Sequence, residues 1–148
     1  MKFLFGFVSV VLILASCATE PLVKPTRSGY PEGIFLNATL EEVQSKIVEG
    51  CSSRGIFVME STKNVVICGK TLEGRDAVLG SLLVGGRYST TPELKIRFIL
   101  YQKGNDVYVT AQQWIESQSG FGQIRREELK HNRHINDIQK FLFSLGAQ

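Results

Sequence analysis

The sequence has 148 residues, with 17 Lys and Arg against 14 Asp and Glu, a formal net charge of +3 at pH 7. That length suits one domain with one modest core. So small a positive excess, with no polybasic block, argues against a nucleic-acid partner.

Lys2 gives the N-terminus a positive charge, and Phe3 through Ala15 run apolar without a charged residue. A bilayer-spanning helix needs about 20 apolar residues, so the run is too short to span and has the length and flanks of a signal-peptide core. It closes with Leu14-Ala15-Ser16-Cys17. This segment resembles the lipobox of bacterial lipoproteins. The resemblance implies that residues 1–16 are a signal peptide cut before Cys17. It also implies diacylglycerol on the Cys17 thiol and a palmitate-type acyl chain on its new amino group. The alternative is an ordinary secretory signal with an incidental cysteine. Several acyl chains hold a protein stably on a membrane where one does not. Ala18 follows the cysteine, where an Asp would favour the inner membrane, so the expected location is the outer membrane, facing the periplasm.

Residues 17–33 hold Pro21, Pro25, Pro31, Gly29 and Gly33 and show no periodicity. They read as a lipidated cysteine followed by a flexible tether. Residues 34–148 read as the globular domain. Thr39-Leu40-Glu41-Glu42 forms a capping box, and Leu40, Val43, Ile47, Val48 and Cys51 fall on one helical face, which predicts a helix over 39–53. Ile56–Glu60 and Asn64–Cys68 are short β-branched runs separated by polar residues. Pairing Ser61 with Asn64 would set Phe57 opposite Cys68. In an oxidising envelope, the even pair Cys51 and Cys68 reads as a disulfide, with two buried free thiols as the alternative.

Ala77–Gly86 is ambiguous. Val78, Leu79, Leu82 and Leu83 fit a helix face, an irregular buried segment or a strand buried on both sides, and Gly80 weakens each reading. Leu94–Tyr101 alternates cleanly, Gly104-Asn105 turns the chain, and the strand over 107–116 returns. Pairing Lys103 with Asp106 sets Leu100 against Val109 and Phe98 against Ala111 on the buried side. Lys95 then meets Trp114, Arg97 meets Gln112 and Tyr101 meets Tyr108 on the other. Gly120-Phe121-Gly122 is a loop tip, and Gln123–Leu129 is a candidate returning strand. Ile135, Ile138, Phe141, Leu142 and Leu145 predict a helix over 132–145, closed by Gly146. The fold expected is α+β: a single antiparallel sheet with an N-terminal and a C-terminal helix packed on one face.

Tyr88-Ser89-Thr90-Thr91-Pro92 and Gln113-Trp114-Ile115-Glu116, with the two later cysteines, resemble segments of small uncharacterised proteobacterial lipoproteins over residues 34–146. The order of elements is also similar to outer-membrane assembly lipoproteins. Neither resemblance implies an activity.

The chemical candidates are few. His131 and His134 would share a helix face, but no third metal ligand is evident, so no metal or cofactor is expected. No serine sits in a nucleophile turn, and Cys51 and Cys68, seventeen positions apart and expected to bond to each other, make no convincing nucleophile. Glu127 and Glu128 alternate faces and make no catalytic carboxylate pair. Arg125-Arg126-Glu127-Glu128 reads as a solvated edge or a polar rim, and Gly85 to Pro92 lacks the lysine of a phosphate loop. The second face of the central hairpin is the candidate partner surface: Lys95, Arg97, Tyr101, Tyr108, Gln112 and Trp114, extended by Phe121. Aromatics with Arg suit interface centres. The same residues would equally serve as cross-strand pairs on a solvated sheet. The expected function is a membrane-anchored, non-catalytic binding or accessory domain whose partner is an envelope protein or peptidoglycan. The alternatives are a cell-wall-acting envelope enzyme and a mobile-element lipoprotein that blocks phage or plasmid entry.

Overall fold

The computed structural model describes residues 19–86 and 88–148. The lipobox and Cys17 lie outside these residues. Among the described residues, no helix is long and apolar enough to cross a membrane.

The elements run β1 (Glu32–Phe35), α1 (Leu40–Ser52), β2 (Phe57–Thr62), β3 (Val65–Thr71), α2 (Gly74–Val84), β4 (Glu93–Lys103), β5 (Asp106–Gln118), β6 (Ile124–Glu128) and α3 (Asn132–Ser144). They form one antiparallel sheet in the order β1-β5-β4-β3-β2, with β6 also on β5. The fold is α+β, as the alternation and the two amphipathic helices predict. β4 and β5 pair with Lys103 opposite Asp106, Tyr101 opposite Tyr108 and Lys95 opposite Trp114, the register that the turn at Gly104 dictates. β1 and β6 share the outer edge of β5, one at each end. Between them the Ala111 amide donates to the Pro31 carbonyl and the Leu129 amide to the Gln113 carbonyl. This edge is therefore closed to further strands.

Phe35, Val66, Phe98, Leu100, Val107 and Val109 line one face of the sheet and are fully buried beneath α1 and α3. The Thr39 hydroxyl accepts from the Glu42 amide, and the Glu42 carboxylate accepts from the Thr39 amide, so both halves of the capping box form. Val43, Ile47 and Cys51 then point into the core. α1 and α3 meet at Gly50, where a Cβ would lie 2.9 Å from the Leu145 side chain and 3.0 Å from the Phe141 ring, so a larger residue would have to displace them. α2 lies on the same face near the far end of β5, over a small cluster of Leu72, Leu94, Ile115 and Leu129. All three helices of the described residues thus cover one side.

Three expectations need correction. The β2–β3 turn spans Lys63-Asn64, with Thr62 opposite Val65, and a bulge lies between Val58 and Glu60. Val58, not Phe57, therefore faces Cys68. Residues 77–84 are helical but not a buried segment, since Val78, Leu79, Leu82 and Leu83 are exposed. The tether expected over 17–33 is docked in its described part. Its Val23 amide donates to Asn136 Oδ1, Asn136 donates to the Pro21 carbonyl, and Glu32 and Gly33 join β1. Buried Asn136 and Gln139 on α3 supply these bonds, and nothing in the period of 21–33 signals them.

Candidate functional site

The alternation of β4 and β5 sends Lys95, Arg97, Ile99 and Tyr101 to the helix-free face, with Tyr108, Thr110, Gln112, Trp114 and Glu116 beside them. β3 adds Val65 and Ile67, and Gly69 lies level with Lys95. The Met59 thioether lies across Gly69, in the space a Cβ would take. β6 contributes Arg126 and Glu128 next to Glu116 and Trp114.

Six of the seven candidate partner residues, Lys95, Arg97, Tyr101, Tyr108, Gln112 and Trp114, share this face. Phe121 does not join them: it stands 97% exposed at the tip between β5 and β6. Trp114 is on the face yet only 7% exposed. No helix covers it. The Arg126 guanidinium lies 4.7 Å from its ring centroid and that of Arg97 5.9 Å, cation–π contacts that also shed water from the ring. Its Nε1 donates to Glu116 Oε2 at 2.7 Å. Tyr101 and Tyr108 stack with centroids 5.0 Å apart, and Tyr101 is 49% exposed.

Glu116 is the hub of the charged half. Its side chain is 12% exposed and receives Lys95, Trp114 and Arg126 together. Burial pushes its carboxyl upward, but the hydrogen bonds from Lys95, Trp114 and Arg126 outweigh that and hold it below the ordinary range. Burial likewise disfavours the Lys95 charge, yet Glu116 and Glu93 raise its pKa. A depressed Glu stabilises the fold above its unfolded pKa and loses that contribution as pH falls through the folded value. A raised Lys contributes below its unfolded pKa and loses the contribution as pH rises through the folded value. The stability gap between wild type and Glu116→Gln should therefore be full at neutral pH and close below the ordinary glutamate value of 4.5. Urea midpoints across that interval measure it; a gap independent of pH would remove the ionic role of Glu116.

Arg97, Gln112, Trp114, Arg126 and Glu128 border a shallow groove of about 280 Å³. The Arg97 guanidinium donates to Gln112, while its Nε is buried without a hydrogen-bond partner among the described residues. Glu128 accepts from the Tyr30 hydroxyl at 2.8 Å and pairs with Lys130, contacts that lower its pKa. The groove is thus ringed by both signs of charge around one aromatic floor, an arrangement suited to holding polar groups by hydrogen bonds. Arg126 and Glu128 belong to this site and were read from sequence only as an edge or polar rim. The strand period of Gln123–Leu129 was the signal that could have placed them beside Trp114.

His131 and His134 stand with ring centroids 6.4 Å apart, and His131 Nδ1 accepts from the Arg133 amide as the cap of α3. No group of three His, Cys, Asp or Glu converges among the described residues. Cys51 and Cys68 are both buried at disulfide distance, with Cα atoms 6.5 Å apart.

The chain matches no family model, no curated protein and no solved structure in the comparisons made.

Proposed function

We propose that this chain is a lipid-anchored lipoprotein of the bacterial envelope whose domain binds a partner and carries out no chemistry. The partner is an envelope protein or peptidoglycan, and the location is the outer membrane, facing the periplasm. The observation that carries the binding half is the helix-free sheet face. Among the described residues all three helices pack on the other side, so the stacked Tyr101–Tyr108 pair, Ile99 and the Arg97–Trp114 groove stand open to a partner. The anchoring half rests on Leu14-Ala15-Ser16-Cys17, and the Cys51–Cys68 pair suits an oxidising compartment.

Metabolic labelling with a fatty-acid analogue tests the anchor. The wild-type chain should take up label and stay with membranes, whereas Cys17→Ala should be unlabelled and left uncut or soluble. An unlabelled wild-type chain would end the lipoprotein reading. For the binding half, a photo-crosslinking residue at Tyr101 in intact cells should give a discrete adduct that the same residue at Glu49, exposed on α1 on the other side of the sheet, does not.

A further inference from the structure

α2 is apolar on both sides. Its inner side, Ala77, Gly80 and Val84, packs on Leu72, Leu94, Ile115, Leu129 and Pro92. Its outer side presents Val78, Leu79, Leu82 and Leu83, each more than half exposed and Leu82 78%. A helix apolar all round is ordinarily a buried one, and contiguous apolar surface of this kind marks a docking site. The neighbouring loops add to it: Tyr88, which lies against Gly120, and Phe121 are also exposed. Arg75 stands on the outer side of α2, and Arg125 reaches the Gly85 carbonyl at its C-terminal end.

The position of this patch in the fold selects its occupant. Asn132 Nδ2 donates to the Glu20 carbonyl at 2.8 Å and Asn136 Nδ2 to the Glu20 carboxylate at 3.1 Å, which fixes the start of the described chain on the first turns of α3. Leu129, three residues before Asn132, is part of the cluster beneath α2. Cys17 precedes Glu20 by three residues, a reach of about 10 Å at full extension. A lipid on Cys17 therefore brings the bilayer to the end of the molecule where α2 lies.

We infer that the outer side of α2, with Phe121 and Tyr88, rests in the interface of the bilayer that holds the Cys17 lipid. The occupant is a phospholipid surface. Leucines on one helix side, aromatics at the headgroup level and arginines at the rim are the composition that such helices use. The domain is then oriented as well as tethered, and the loop tip at Phe121, which lies off the partner face, has a role. This inference rests on the anchor proposed above.

The test uses the full acylated chain in phosphatidylethanolamine–phosphatidylglycerol vesicles with brominated acyl chains, which quench tryptophan on contact. Wild type supplies the baseline, because Trp114 lies on the opposite face of the sheet beneath two arginines. In Leu82→Trp the added emission should fall about two-fold or more relative to unbrominated vesicles, in line with burial some 5–10 Å into the interface. Leu79→Trp repeats the test at a second exposed position. Mass spectrometry of the same sample reports acylation. An acylated chain whose new tryptophans are not quenched overturns the inference and leaves the anchor intact. If they are unquenched and the chain self-associates through α2, the occupant is a second copy instead. A chain without acyl groups overturns the anchor and this inference together.

Discussion

The Cys51→Ala/Cys68→Ala double variant should lose about 3 kcal/mol of stability relative to the bridged protein, the chain-entropy expectation for closing a loop of 17 residues. For a domain of this size that lowers the melting temperature by about 10 °C. The geometry makes the estimate more than entropic. Cys51 closes the buried stripe of α1, and Cys68 sits in β3 between Val58 and Ile96. A bond between them ties the first helix to the middle of the sheet. Both positions are fully buried within the main core, so the variant also loses packed sulfur, and reductant should act slowly on the native protein. Alkylation must therefore be done on unfolded, unreduced protein. No labelling at either cysteine is the expected result; labelling of both would mean that the bond is absent, and the stability loss would then shrink to that of two small cavities.

The parts of this fold legible in the sequence are those in which one local rule sufficed. The capping box at Thr39 with the stripe Val43, Ile47, Cys51 gave α1 to within a residue at each end. Strict alternation on both sides of Gly104 gave the β4–β5 register, and with it the sharing of one face by Lys95, Arg97, Tyr101, Tyr108, Gln112 and Trp114. What was not legible depends on partners distant in the chain. β1 is four residues following a proline- and glycine-rich stretch, and it exists because the outer edge of β5 offers Val107–Thr110 to pair with. The bulge at Met59 has no glycine to announce it. α2 carries apolar residues on both sides, so its period cannot tell inside from outside, and only the small cluster under Ala77 and Val84 decides. Alternation assigned Trp114 to the open face correctly but not its exposure, because the covering Arg126 arrives from β6.

That burial sets the second large expectation. A tryptophan on a helix-free sheet face would ordinarily be tolerant of truncation, since exposed positions change stability by about 0.5 kcal/mol or less. Trp114 is different: at 7% exposure it is the floor on which Arg97 and Arg126 lie, and its Nε1 is one of the donors that keep Glu116 ionised. Trp114→Ala should cost about 3 kcal/mol, the lower end for deleting a buried tryptophan, because neighbouring arginine stems can partly collapse into the space. Chemical denaturation measures it, and a loss under about 1 kcal/mol would mean that the ring is solvated and the arginine cover is not formed in solution. Tyr101→Ala provides the contrast. Half exposed and stacked on Tyr108, it should cost about 1 kcal/mol for the aromatic pair. If the face binds a partner, Tyr101→Ala should reduce crosslinking from a probe placed at the neighbouring Ile99 far more than it reduces stability. If crosslinking is unchanged in Tyr101→Ala while Trp114→Ala unfolds readily, these residues serve the sheet alone, and recognition must be sought elsewhere on the molecule.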